Sequence, residues 1–391
     1  MSDAAVKAGA PDAGQVRASG TPVLRVESDE LVVEVFRQAP AGWDEAISRF
    51  APRVPTVLAT TWWAEYMEQA VFARSWYLRV DDATGAAVGL LLAFSEYPLS
   101  RTTYAWRSAR LAAALGHAIF PVLGWPCGPV VFDAAREVGV HQALAVAVAA
   151  LQERCGLPLV SRAPVRPLDQ ANLAGIEAAW RAAGFGVEPA ATLIVDLSPS
   201  LEELRAGLER SARKCLRKCE EKGLTVVRVG DDEGLGIDAY WEVFEANRPG
   251  WSGGSRRRYA NTLMWEILRR HRSIELFTVK DGSETLAGIG LWHHGGYGHE
   301  FAAWMAPEAH ERSLPVGDLL KWAVIVWAKT SGLTSYDLAG FSISSVAGSK
   351  EAGIRQFKEK WGGQRRDFAV VTRSTGMVRS RVWQAANHRA S

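Results

Sequence analysis

Apolar and polar positions alternate toward the end of residues 24–37 (LRVESDELVVEVFR), which predicts a strand entering a first core. Residues 61–71 (TWWAEYMEQAV) read as a helix. Residues 76–80 and 87–94 flank a turn at 81–85 and predict a β-hairpin. The Gly/Pro-broken run 118–132 (AIFPVLGWPCGPVVF) predicts a loop feeding a strand. An amphipathic helix at 138–154, a short strand at 157–160 and a helix at 170–183 complete this first series.

The pattern then restarts. A strand is expected at 193–197, then a helix with Ser198 as cap and Pro199 just inside, running to Lys222 and stopped by Gly223. A strand at 224–229 precedes helices at 238–247 and 257–270. A second hairpin (274–279 and 285–293, across Asp281–Gly282) leads to a strand at 297–305. A helix at 316–330, a strand at 335–338, a helix at 353–361 and a strand at 366–372 follow. Both series run helices, antiparallel hairpin, helix, strand. That order predicts an α/β chain of two domains of one type, 21–192 and 193–391, each a mixed, mostly antiparallel sheet with flanking helices.

Length agrees, since 391 residues suffice for two cores. Residues 1–20 are rich in Ala, Gly, Asp and Pro, which predicts a disordered tail, and they hold no apolar stretch of the secretory kind. The most apolar stretch, 143–151 (ALAVAVAAL), is too short to cross a bilayer, so no transmembrane segment is expected. Cys127, Cys155, Cys215 and Cys219 lack a disulfide-scaffold spacing, and a reduced, cytoplasmic setting is expected. A net charge of +2 implies a polyanion partner only through a local basic patch.

One such patch is present. Arg210, Arg213, Lys214, Arg217 and Lys218 recur at i, i+3, i+4, i+7 and i+8, placing five cations along one helix face. Such a stripe suits phosphates, which Arg binds bidentately; the plain alternative is a solvated face. His293, His294 and His299 beside Glu300 do not give clean alternating ligand spacing, and no metal site is expected. Cys215 and Cys219 read as a buried face of the basic helix rather than reactive thiols. No phosphate-binding Walker loop, G-x-G-x-x-G or nucleophile elbow occurs.

Residues 336–363, YDLAGFSISSVAGSKEAGIRQFKEKWGG, join Y-D-L-x-G to G-I-x-x-F-K-x-x-[FW]-G-G. That pairing resembles the end of the second domain in the FemAB family, tandem GNAT-type proteins, many of which move an amino acid from charged tRNA onto an amine. Residues 61–65 resemble the early helix of that family's first domain, and LGWPCGPVVF (123–132) its Gly-Gly-Pro-Val segment, with Cys127 where a glycine is usual. SARKCLRKCEEKG (211–223) is similar to its basic helix, Arg213 matching the first arginine, and RPGW (248–251) to its R-x-G-[FW], which brings in Arg248.

The resemblance implies that Lys358 lies near the reaction centre. There it would hold the 3′-terminal adenosine phosphate or stabilise charge on the ester carbonyl. Asp337 would accept a proton from the attacking amine and Tyr336 would orient it; the alternative for Asp337 is a turn carboxylate. Trp361 is placed with the substrate- and phosphate-binding residues, and Trp251, Trp292 and Trp304 are further stacking candidates, most of them expected in the core. Gly362–Gly363 would turn the chain into the last strand. Arg312–Asp318 (RSLPVGD) matches the pyrophosphate loop of ordinary GNAT enzymes. Arg312 survives, but Pro315 removes an N–H, Gly317 alone remains of the glycines and Asp318 adds a negative charge, which implies poor binding of coenzyme A.

The function so implied is an aminoacyl transferase. It would use aminoacyl-tRNA as co-substrate, with no resident cofactor, and form an amide on an amine-bearing acceptor, phosphorylated or not. That acceptor is either a cell-wall precursor or a natural-product intermediate. The alternatives are an acyl-CoA-dependent N-acyltransferase of a sugar or polysaccharide precursor, using acetyl-CoA or acyl-CoA, and a catalytically silent module that binds RNA or phosphorylated glycan.

Overall fold

The computed structural model describes residues 20–49, 54–97, 121–230, 235–247, 255–341, 343 and 348–375. The tail expected over residues 1–20 lies outside these except for Gly20, and residues 376–391 lie outside them too.

The strand expected over 24–37 is a hairpin, β1 (Leu24–Ser28) and β2 (Leu31–Phe36). Asp29 adopts φ 50° and reverses the chain, a conformation that Asp tolerates better than most residues. Then come α1 (Trp43–Arg49), α2 (Thr61–Ala70), the hairpin β3 (Arg74–Asp81) and β4 (Ala87–Glu96), β5 (Val122–Gly124) and β6 (Val130–Val131). The half ends in α3 (Glu137–Arg154), β7 (Leu159–Val165), α4 (Leu173–Ala182) and β8 (Gly186–Asp196). Helix α3 is long and apolar enough to cross a membrane. It packs instead on β1, β2 and β3 and on α4, with Val140, Ala143, Leu144, Ala147, Val148 and Leu151 buried.

In the second half, the helix expected over 199–222 is two: α5 (Leu201–Gly207) and α6 (Arg210–Glu221). Ser200, not Ser198, caps α5, exchanging hydrogen bonds with Glu203 in a capping box. Leu208 turns extended (ψ 149°) to bury its side chain, which breaks the helix. Next are β9 (Thr225–Arg228), α7 (Ile237–Asn247), α8 (Ser255–Arg270), β10 (Ile274–Asp281), β11 (Glu284–His294) and β12 (Tyr297–Met305). Helices α9 (Pro307–Glu311) and α10 (Val316–Thr330), strand β13 (Ser335–Phe341), helix α11 (Lys350–Glu359) and strand β14 (Gln364–Ser374) are the last elements among the described residues.

The fourteen strands form one sheet, ordered β1-β2-β3-β4-β5-β7-β14-β8-β13-β12-β11-β10-β9, with β6 paired to β4 off this path. Two neighbouring pairs are parallel, β5 with β7 and β12 with β13, each at the same place in its half. The middle of the sheet is exchanged: β8 closes the first series yet pairs with β13, and β14 closes the second yet pairs with β7. The two closing strands also pair with each other, from Gln364↔Ile194 to Thr372↔Gly186. A division at 192/193, proposed from element order, therefore passes through β8.

The halves share core as well as sheet. Trp43 and Trp63 of the first pack in one apolar cluster with Tyr240, Trp241, Phe244 and Trp304 of the second. A separate cluster fills the second half between α6, α10 and the sheet, and includes Trp361.

Candidate active site

The parallel pairing of β12 and β13 runs only from Tyr297↔Ser335 to His299↔Asp337. Beyond it the strands part. Ala302 on β12 and Ala339 on β13 both take positive φ, 50° and 63°, which costs a residue with a Cβ roughly 1 kcal/mol each. The last turn of α11 delivers Lys358 to this parted end. Its Nζ donates to the carbonyls of Ala339 (3.1 Å) and Gly340 (3.0 Å), and burial lowers its pKa. Two of its three ammonium protons are so engaged. Among the described residues the third has no acceptor.

Beside Lys358 lies a buried polar triad. The Tyr336 hydroxyl donates to Glu300 Oε2 (2.9 Å), and Lys321 Nζ reaches the same oxygen. Lys321 Nζ is also 3.4 Å from the Tyr336 hydroxyl. Burial, then the Glu300 carboxylate, push the Tyr336 phenol well above its ordinary pKa. Tyr336 therefore stays protonated and serves as a donor that fixes Glu300. Glu300 Oε1 has no protein donor among the described residues. Lys321 was not singled out from sequence, and Glu300 only beside the histidines weighed as a metal site. A signal existed in Lys321, a lone lysine on the buried side of the apolar helix VGDLLKWAVIVWAKT, 2% exposed.

Asp337, expected as the base, faces the other way, because successive residues of a strand point to opposite sides. It is completely buried and accepts from Arg166 Nη1 (2.8 Å), the Tyr297 hydroxyl (2.7 Å), the Ala339 amide (2.9 Å) and the Thr192 hydroxyl. His299 Nδ1 is 3.2 Å away. Burial alone would raise its pKa, but Arg166, His299 and Thr192 outweigh burial and hold it well below the ordinary carboxylate range. A carboxylate so saturated is a poor proton acceptor, so the general-base reading of Asp337 is corrected to a structural one.

The basic stripe divides. Arg213 donates to the carbonyls of Ala206 (2.6 Å) and Leu208 (2.5 Å), satisfying the end of α5, and Lys218 donates to the Ser313 carbonyl (2.8 Å). Arg210, Lys214 and Arg217 remain exposed. Arg312, on the surface, pairs with Asp281 and Glu284, and Trp361 is 1% exposed in the core, where it is not presented to a phosphate. Arg248 and Trp251 lie outside the described residues. Trp304 is buried over Gly288, and Trp292 stacks on Phe301 at 4.1 Å. Gly362 takes φ 75° in the turn before β14.

At the start of α10, where the pyrophosphate loop would lie, the buried Asp318 carboxylate is 2.5 Å from Lys360 Nζ. Burial raises the pKa of Asp318, and Lys360 opposes that. His293 and His294 are pushed down to about 4 by burial, His293 also by its neighbour, and stand neutral at pH 7. Among the described residues no group of three or more His, Cys, Asp or Glu could hold a metal ion.

Residues 206–359 match the family model of the acetyltransferase (GNAT) domain. No curated protein matches this chain by sequence. The fold is similar to that of a structure described as FemX, with TM-score 0.62 and 15% identity over 90% of this chain and 99% of that one. A tandem GNAT protein from the clavulanic acid biosynthesis pathway aligns with TM-score 0.50 and 15% identity, covering 88% and 99%. A conserved protein of unknown function from Bacteroides thetaiotaomicron aligns with TM-score 0.50 and 8% identity, covering 87% and 99%. The chain thus has a tandem GNAT fold of the FemX kind.

Proposed function

We propose that this FemX-like tandem GNAT chain is an aminoacyl transferase whose transfer centre is the parted end of β12 and β13. The observation that carries this reading is Lys358, buried there with an ammonium proton to spare. An ester carbonyl entering the parted strands would meet that proton, and a preorganised cation in a dry site stabilises the developing oxyanion more than it would in water. The acceptor amine attacks the ester carbon, a C–N bond forms, and the ribose hydroxyl of the donor leaves. Glu300 Oε1, held in place by Lys321 and Tyr336, takes the proton lost by the amine and returns it to the departing ribose oxygen, which leaves as the hydroxyl. Lys358 and Glu300 thus replace the Lys358, Asp337 and Tyr336 set expected from sequence.

Two features support charged tRNA over acyl-CoA as donor. The Asp318 carboxylate occupies the start of α10 with Lys360, where a pyrophosphate would meet negative charge in a buried setting. Arg210, Lys214 and Arg217 leave an exposed basic face suited to an RNA backbone. The acceptor is an amine, from a cell-wall precursor or a small-molecule pathway, and a cytoplasmic setting fits a tRNA donor.

The test offers purified protein total tRNA charged with labelled amino acids and, separately, labelled acetyl-CoA, and measures filter retention at two salt concentrations. Salt-sensitive retention of one aminoacyl-tRNA supports the reading. Retention of acetyl-CoA without tRNA binding overturns it in favour of the acyl-CoA-dependent N-acyltransferase.

A further inference from the structure

We propose that the cleft at the seam between the two halves binds a small monocarboxylate, gripped by the unoccupied edge of the Arg166 guanidinium. The cleft has a volume of about 330 Å³, at the lower end of the range for small-molecule sites. Leu168, Ile194 and Phe368 wall it with apolar surface, Arg166 and Tyr297 lie at its polar side, and Arg366 lines it as well. It opens on the face of β13 to which Asp337 points, whereas Glu300 contacts Tyr336 on the opposite face. It is therefore distinct from the transfer centre and separated from it by the thickness of one strand.

Arg166 is the reason to expect an anion. Among the described residues its side chain makes one hydrogen bond, from Nη1 to Asp337, and its Nε is buried without an acceptor. A buried donor left unpaired is costly, and a native structure that keeps one is commonly missing a water or ligand. The Nε–Nη2 edge of a guanidinium offers two parallel N–H groups, the fork that fits a carboxylate. Phe368 fixes the guanidinium plane, with the Arg166 carbon 4.7 Å from the ring centre.

Charge selects a monoanion. Asp337 and Arg166 cancel each other, as do Asp367, which also lines the cleft, and Arg365, whose Nε lies 2.7 Å from it. Arg366, exposed and bonded only to the Gln364 amide oxygen (3.4 Å) among the described residues, leaves one positive charge over. A carboxylate balances it, while a phosphate dianion would leave an excess negative charge in a partly apolar cleft. The apolar walls call for a hydrocarbon or aromatic body behind that carboxylate.

The test is calorimetric titration of the full chain with benzoate, its neutral isostere benzamide, and inorganic phosphate, with no donor present. Benzoate is expected to bind, with benzamide about tenfold weaker or worse, as loss of charge-assisted hydrogen bonds requires. Arg366→Gln, a surface change that leaves the fold alone, is expected to weaken benzoate several-fold, and Leu168→Trp to abolish binding by filling the cleft. Equal affinity for benzoate and benzamide, stronger binding of phosphate, or unchanged benzoate affinity in both variants overturns the proposal. Because no transfer is measured, failure here leaves the transferase reading untouched, and failure of that reading leaves this one standing.

Discussion

Arg166 Nη1 and Asp337 Oδ2 lie 2.8 Å apart across the seam of the molecule. Arg166 follows β7 of the first half and Asp337 sits in β13 of the second, so this buried ion pair joins elements 171 residues apart in the chain. With the exchanged strands β8 and β14, it ties the two halves together at the centre of the sheet.

Asp337→Asn leaves the Arg166 charge buried and unpaired, and a loss of roughly 3 kcal/mol is expected. Urea unfolding of variant and wild type at pH 7 measures it. The pH dependence has a definite sign. The folded carboxyl titrates below its unfolded counterpart, so its contribution is complete above about pH 4. It fades as pH falls toward the folded value. The gap between wild type and variant should therefore be constant from pH 5 to pH 8 and narrow only under strong acid.

Lys358→Met removes the proposed oxyanion donor but keeps an unbranched side chain of similar length. The transfer rate with saturating donor is expected to fall about 10²-fold or more, with donor binding changed little. Single-turnover transfer from labelled aminoacyl-tRNA separates the two. Unchanged chemistry in a folded variant would remove Lys358 from the reaction.

Glu300→Gln keeps the hydrogen bond from Tyr336 and loses the proton acceptor; it also leaves the buried Lys321 ammonium without its carboxylate, so the rate is read on a variant shown by a thermal melt to be folded. The rate is expected to drop about 10²-fold near neutral pH and to recover in part at higher pH, where more of the acceptor amine is already deprotonated. A pH–rate profile parallel to wild type would reduce Glu300 to a structural role.

Acid should loosen the contact around His294. Its Nδ1 lies 2.9 Å from the Thr56 hydroxyl and its Nε2 3.1 Å from the Ser48 hydroxyl, both from the first half. His293 and His294 titrate near 4 when folded and near 6.5 when unfolded, so the unfolded chain binds more protons between those values. Stability is expected to fall as pH drops from about 6.5 to 4, by on the order of 1–3 kcal/mol per histidine, and to level off above. His294→Gln should flatten that slope in thermal melts across the window.

The basic helix should respond unevenly. Arg217→Ala and Lys214→Ala should weaken RNA retention and lower its salt slope by roughly 0.7–0.9 per contact removed. Arg213→Ala should mainly destabilise the chain, since its guanidinium closes the end of α5. Filter binding across a salt series, beside melting curves, distinguishes the two outcomes.

The fold type was legible because it rests on local signals. Period-two and helical apolar patterns place β3 with β4, β10 with β11, and helices α2, α3 and α10 within a residue or two of where they lie. Glycine signals were equally local: Gly223 ends a helix and Gly362 turns the chain toward β14, both at positive φ. Two errors have one cause, a backbone choice that no periodic pattern reports. Asp29 reverses the chain inside an apolar run, and Leu208 breaks a helix to reach the core.

Of the proposed site, one member was legible. Lys358 stood out by motif. Which neighbour serves it did not, because Tyr336 and Asp337, adjacent in sequence, fall on opposite faces of β13, and Glu300 and Lys321 meet from distant segments. The cations of α6 share one helical stripe, yet carbonyls available only in the folded chain engage Arg213 and Lys218. By itself the sequence determined the elements, their repeated order and the two α/β halves, since hydrophobic periodicity and turn chemistry act over a few residues. Tertiary structure alone decided the exchange of β8 and β14, the Arg166–Asp337 pair and the saturation of Asp337, because burial and charge pairing depend on which distant residues the packing brings together.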